Sequence, residues 1–128
     1  MKDKDTIREL LIDAIHYDLE ARNYFEKNLN NRELLDLLVE FALDDYSSDA
    51  SMGAAYWISK FSKELLYEIE DKLLKLQEYE LDNIVLPILV ALGRIKSKNG
   101  LKFLIEKRIE PRMGWEAKAL KYYLDYIK

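Results

Sequence analysis

The stretch from Ile84 to Ile95 constrains this chain most. It holds 12 residues, nearly all apolar, and Gly93 and Arg94 interrupt it only near its end. A segment apolar on most sides must be covered on most sides. At this length it is too short for a membrane span, which needs about 20 apolar residues. Leu and Ala dominate its second half and no alternating strand pattern occurs elsewhere, so the run reads as a buried helix. Asp82 or Asn83 is placed to cap it. Pro87 falls near its start, where a missing backbone N–H is best tolerated.

Lys96-Ser97-Lys98-Asn99-Gly100 then forms a turn, with Ser97 or Asn99 available as a new cap. Beyond it Leu101, Leu104, Ile105 and Ile109 fall on one helical stripe, with Lys102, Glu106, Lys107 and Arg108 opposite. An inner helix followed by an outer, one-sided helix is the pattern of a helical-repeat unit.

Within this unit, Ala91-Leu92-Gly93-Arg94-Ile95, a short turn, and Leu101-Lys102-Phe103-Leu104-Ile105 resemble a HEAT repeat of the short, PBS-lyase-like kind. The likeness covers about 28 residues, Asp82 to Ile109. In that family the pattern marks helix packing and not a site. It implies an all-α fold: a right-handed α-solenoid of helical hairpins, about three pairs plus a C-terminal helix.

The remaining segments are read as further helices. Thr6 and Glu9 have capping-box spacing, and Ile7, Leu10, Leu11, Ala14 and Ile15 follow as a stripe. That stripe continues less cleanly through Leu19, Tyr24, Phe25 and Leu29, as one helix or as two with a bend near Tyr17-Asp18. A second helix spans Arg32–Leu43, with Leu34, Leu35, Leu38, Phe41 and Ala42 inward. Asp44-Asp45-Tyr46-Ser47-Ser48-Asp49 is a polar loop. Asp49 or Ser51 caps a helix over Ala50–Phe61, in which Met52, Ala55, Ile58 and Phe61 face inward and Gly53, Ala54 and Ala55 admit a close neighbour. Lys63–Leu76 is amphipathic, with Leu65, Leu66, Ile69, Leu73 and Leu76 inward. After a break at Pro111-Arg112-Met113-Gly114, Trp115–Ile127 closes the chain, offering Trp115, Ala119, Leu120, Tyr123, Leu124 and Ile127 for packing.

These helices pair as 7–29 with 32–43, 50–61 with 63–76, and 82–95 with 99–109. The last helix is left to cover the inner helix of the third pair. Ile58 and Leu92 correspond at a spacing of 34, and Leu92 with Tyr123 or Leu124 at 31 or 32. That is helical-repeat spacing, somewhat short of the usual HEAT period of about 40–47.

A chain of 128 residues is expected to form one domain, residues 1–128. It contains no cysteine, which excludes disulfides, thiolate nucleophiles and cysteine metal sites. Its N-terminus is charged and then amphipathic, unlike a secretory signal, so a cytoplasmic, membrane-free monomer is expected. The net charge of −4 hides an asymmetry. Residues 1–80 carry 19 Asp/Glu and 10 Lys/Arg, whereas residues 81–128 carry 5 and 10. Such polarity steers association.

No catalytic constellation is visible. His16 is the only histidine, and although Asp13 and Glu20 share its helix face, a surface histidine among acids is the simpler reading than a metal site. The carboxylates of Asp44, Asp45 and Asp49, or of Glu64, Glu68 and Asp71, lack the enclosing cleft that paired acid–base catalysis needs. The four glycines are isolated, so no phosphate loop exists. Arg94, Lys96, Lys98, Lys102, Lys107, Arg108, Arg112, Lys118 and Lys121, with Tyr122 and Tyr126, make a basic, aromatic region that could hold phosphates and bases. The acidic remainder of the chain opposes that.

An acidic face with tyrosines suits a basic protein better. Glu33, Asp36 and Glu40 share one helix face. Asp44, Asp45, Tyr46 and Asp49 follow in the polar loop, and Glu64, Tyr67, Glu68 and Asp71 form another row. The expectation is a non-enzymatic binding module without metal or cofactor. Its most specific form is an immunity-type protein (an antitoxin) that inhibits a basic toxin such as a nuclease by mimicking its anionic substrate. The alternatives are a scaffold for a cellular complex, or a HEAT-like nucleic-acid-binding module that uses the basic C-terminal third.

Overall fold

The structure is a computed structural model that describes residues 2–43, 47–79, 81–107 and 114–127. Among the described residues all regular structure is helical, without strands. The expectations placed on Ile109 and on the break at Pro111–Met113 lie outside them, as do the side chains of Trp115, Tyr126 and Ile127. The chain divides into two compact units, residues 1–62 and residues 63–128.

The first unit contains α1 (Lys4–Ile15), α2 (Leu19–Glu26), α3 (Arg32–Leu43) and α4 (Ser48–Ile58). Asp3, not Thr6, caps α1: its carboxylate accepts from the Thr6 N–H at 2.8 Å. That bond, and a second from the Thr6 side chain, hold the Asp3 carboxyl below the usual range. Likewise Ser47 caps α4 by accepting from the Ala50 N–H at 3.2 Å. Ser51, expected as a cap, instead donates its hydroxyl to the Phe41 carbonyl at 2.9 Å and so ties α4 to α3. A serine one turn inside a helix is better used this way, because its own helix needs no donor there.

Helix α4 is the centre of this unit and packs on both α1 and α3. The expected pairing of 7–29 with 32–43 thus gives way to packing of α3 on α4. Small residues make the approach possible. A Cβ on Gly53 would stand 3.1 Å from Ile15 Cδ1 and 3.3 Å from the Leu11 carbonyl oxygen. Ile7, Leu11, Phe25, Leu34, Leu35, Leu38, Phe41, Trp57 and Ile58 fill the space. Phe25 and Trp57 stack at 5.2 Å between ring centroids. Met52 is only half-buried, and Leu19, expected inward, is 75% exposed.

The second unit contains α5 (Lys63–Glu68), α6 (Glu70–Leu76), α7 (Asp82–Arg94), α8 (Lys98–Lys107) and α9 (Gly114–Ile127). The expected single helix over 63–76 is broken at Ile69, whose φ of −115° and ψ of 23° leave the helical region. Its N–H bonds the Leu66 carbonyl three residues back, and its side chain is fully buried.

Every residue of α7 from Ile84 to Gly93 is buried. The segments that pack on it are α5, α6, α8 and α9. Burial of each large aliphatic side chain contributes about 1.5–3 kcal/mol before ordering costs, so α7 organises this unit. The chain enters α7 at Leu81, whose carbonyl receives both the Ile84 and the Val85 N–H at 3.0 Å, and no side-chain cap is formed. Asp82, expected as a cap, lies inside the first turn, where its charge still faces the positive helix end. Pro87 lies a turn further in and is buried. The carbonyl it cannot serve belongs to Asn83, an exposed residue that water can reach.

Close packing of α9 on α7 rests on Gly93. A Cβ there would meet the Ala119 carbonyl oxygen at 2.9 Å. Leu101, Phe103 and Leu120 line the same core, and Tyr123 is buried within it. Ile105 and Leu124, expected inward, are 47% and 50% exposed.

The two helical corners at Tyr17-Asp18 and Lys96-Ser97 share one construction. The Tyr17 N–H bonds the Ala14 carbonyl and the Asp18 N–H bonds the Asp13 carbonyl, both at 3.1 Å. The Lys96 N–H bonds the Gly93 carbonyl and the Ser97 N–H bonds the Leu92 carbonyl, both at 3.0 Å. These are Schellman closures. In each, the next residue caps the following helix: Asp18 accepts from the Ala21 N–H at 2.9 Å, and Ser97 from the Gly100 N–H at 3.1 Å. The residue between takes a left-handed backbone, with φ of 67° at Tyr17 and 54° at Lys96. Glycine usually fills that place because other side chains are strained there.

Candidate protein-binding surfaces

In the first unit, Glu33, Asp36 and Glu40 lie along α3 at steps of three and four and share one face. Glu33 and Glu40 are exposed, and Asp36 is half-exposed. Arg32 Nε donates to Asp36 Oδ1 at 3.0 Å, which offsets part of the repulsion along this row. Asp49 is half-exposed in the first turn of α4, with His16 Nε2 at 3.7 Å from its carboxylate. Asp44, Asp45 and Tyr46 lie outside the described residues.

In the second unit, Glu64, Tyr67 and Glu68 lie on α5, and Asp71 follows in the first turn of α6. All four are exposed, and Tyr67 presents 57% of its surface. The break at Ile69 falls inside this row and separates Asp71 from the other three. The two acidic rows belong to different units.

Among the described residues no group of three or more metal-ligating side chains could hold an ion. Asp13, His16 and Glu20 therefore form no such group. No helix among the described residues is long and apolar enough to cross a membrane. Of the basic residues in the last third, Lys98, Lys102, Lys118 and Lys121 are exposed, while Lys96 turns inward and donates Nζ to the Tyr122 carbonyl at 2.9 Å. Arg108 and Arg112 lie outside the described residues.

Two buried side-chain oxygens have no hydrogen-bond partner among the described residues, Gln77 Oε1 and the Tyr123 hydroxyl. Burial drives the Tyr123 phenol well above its ordinary value of 10.0, and the nearby Glu70 charge adds to this.

Sequence patterning did not single out one further cluster. Arg22 on α2 lies against three rings, its guanidinium carbon 5.8 Å from the Tyr17 centroid, 5.9 Å from that of Tyr56 and 5.6 Å from that of Trp57. Lys60 Nζ stands 5.1 Å from the Tyr56 centroid. The available signal was Tyr17, a large side chain at the expected bend that the stripe does not use. Which way it points depends on the corner's backbone, which spacing alone does not reveal.

No protein-family model, curated protein or solved structure matches the chain.

Proposed function

We propose that this protein is a non-catalytic binding module that engages a basic protein through its acidic helix faces. The observation that carries this reading is the row Glu64, Tyr67, Glu68 and Asp71. It sets the carboxylates of Glu64 and Glu68 on the same helix as a tyrosine that folding leaves 57% exposed, with the exposed Asp71 beyond the break at Ile69. Tyrosine offers large contact area with few rotors, and flanking charges set partner choice and encounter rate. The exposed carboxylates of Glu33 and Glu40 extend the same chemistry to the other unit.

The specific form proposed is an immunity-type inhibitor that covers the anion-binding cleft of a basic toxin. A right-handed solenoid of HEAT-like hairpins is part of the proposal. The hairpin of α7 and α8 about the Lys96-Ser97 corner supports it.

The test is to purify the product of the adjacent gene and titrate it with this protein, following both binding and loss of toxin activity. Stoichiometric inhibition is expected. Reversing charge at Glu64, Glu68 and Asp71 should weaken binding by at least ten-fold without lowering the unfolding midpoint. Absence of both binding and inhibition would remove the immunity reading. Unchanged affinity in the triple variant would remove this face. A salt-sensitive electrophoretic shift with DNA or RNA would favour the nucleic-acid alternative instead.

A further inference from the structure

Tyr17 sets folding against surface chemistry. It occupies the left-handed position of the first corner, where glycine would be unstrained, and its side chain is 79% exposed. Leu19 beside it is 75% exposed. The fold therefore gains little from either side chain.

Two cations stand at the Tyr56 ring, and one of them, Arg22, also lies against Tyr17. Arg22 donates only two long bonds, 3.4 Å to the Ala14 carbonyl and 3.5 Å to the Tyr56 hydroxyl. A guanidinium carries five N–H donors in a planar fork suited to a carboxylate. Lys60 leans on the Tyr56 ring. Among the described residues neither cation enters an ion pair. Beneath them the stacked pair Phe25 and Trp57 forms a rigid, buried base.

We propose that Tyr17, Leu19, Arg22, Tyr56 and Lys60 form a docking site for an acidic segment of a partner protein, one in which a carboxylate stands beside a large apolar residue. The carboxylate takes the Arg22 fork and the Lys60 ammonium, and the apolar side chain rests on Tyr17 and Leu19. The charge of the surroundings selects this occupant over a nucleic acid. Residues 1–62 carry 13 Asp/Glu against 7 Lys/Arg, which opposes a chain charged at every unit more than a segment that carries a single carboxylate. A single carboxylate meets two cations at contact. The site shares no residue with the acidic rows and does not depend on them.

The experiment titrates the full ¹⁵N-labelled chain with an array of blocked peptides carrying Asp or Glu beside Leu, Phe or Tyr. A matched array carries Asn or Gln instead, and a single-stranded oligodeoxynucleotide is the third probe. Carboxylate peptides should shift the amides of residues 17–24 and 56–60, and the matched amide peptides should bind roughly ten-fold more weakly. Lys60→Gln and Tyr17→Gly should each reduce affinity several-fold, and Tyr17→Gly should do so while raising the unfolding midpoint. Because Arg22 also braces the end of α1, Lys60→Gln carries the charge test if an Arg22 variant fails to fold. The proposal is overturned if no peptide perturbs these amides, if the amide peptides bind equally, if the shifts fall elsewhere, or if only the oligonucleotide binds.

Discussion

Replacing Tyr123 by Phe should stabilise this protein. The Tyr123 side chain is 1% exposed, and its hydroxyl has no hydrogen-bond partner among the described residues. Gly100 lies close against it: a Cβ there would stand 2.8 Å from the hydroxyl oxygen. A buried hydroxyl without a partner costs about 1–3 kcal/mol relative to water. Removing it forfeits the few dispersion contacts of one oxygen atom, at about 0.1–0.2 kcal/mol each. The balance is a gain of about 1–2 kcal/mol, or a rise of about 3–8 °C in the midpoint for a chain of this size. Urea denaturation at pH 7 followed by circular dichroism measures it, provided the slope is unchanged. A midpoint equal to or below that of the parent would refute the reasoning, because it would mean the hydroxyl is satisfied in the folded state.

The same group predicts a pH dependence. The folded phenol titrates well above 10.0, whereas in the unfolded chain it ionises near its ordinary value of about 10. Its contribution is therefore fully present below pH 10. It is lost as pH climbs through and beyond that value, by up to about 1.4 kcal/mol per pH unit. The other eight tyrosines are common to both proteins. The stability gap between Tyr123→Phe and the parent should therefore widen above pH 10, and a flat gap would contradict the burial argument.

The other predictions concern packing and corners. Gly93→Ala gains about 1 kcal/mol of helix propensity but drives its Cβ against the α9 backbone at 2.9 Å, so a net loss of about 1–2 kcal/mol is expected on urea denaturation. Gly53→Ala meets the movable tip of Ile15 at 3.1 Å, so its loss should be clearly smaller; equal losses would refute the contrast. Asp18→Ala removes the cap that holds the Ala21 N–H and should cost about 1 kcal/mol. Tyr17→Gly relieves a left-handed backbone and should gain about 0.5–1 kcal/mol after glycine's extra chain entropy, read as a higher thermal midpoint.

Legibility followed periodicity. The stripe of α3 was readable because Leu34, Leu35, Leu38, Phe41 and Ala42 recur at helical spacing, and all five are buried. The run from Ile84 announced its own enclosure. Caps were harder to read. Asp, Ser and Asn cluster before several helices, and only the entering backbone decides whether Asp3 or Thr6, Ser47 or Asp49 takes the role. Leu104 and Tyr123 go inward as their stripes have them, whereas their neighbours Ile105 and Leu124, which fit the same stripes by spacing, stay 47% and 50% exposed. Of the candidate acidic surface, residue types and shared helix faces were legible. The break at Ile69 was not, because nothing in Leu66–Leu73 interrupts the pattern. The Arg22 cluster depends on one left-handed residue, which no periodicity encodes.

Because two backbone bonds and the next helix's cap define each corner, the course of the bend does not rest on the side chain at its apex. In the second corner that place belongs to Lys96, whose backbone has the same sense as that of Tyr17. There Nζ is already held by the Tyr122 carbonyl, whereas a fluorophore or an affinity handle on a cysteine introduced at Tyr17, 79% exposed, would sit at a defined bend of an otherwise thiol-free chain. The molecule thus already contains a mounting point from which its encounters can be watched.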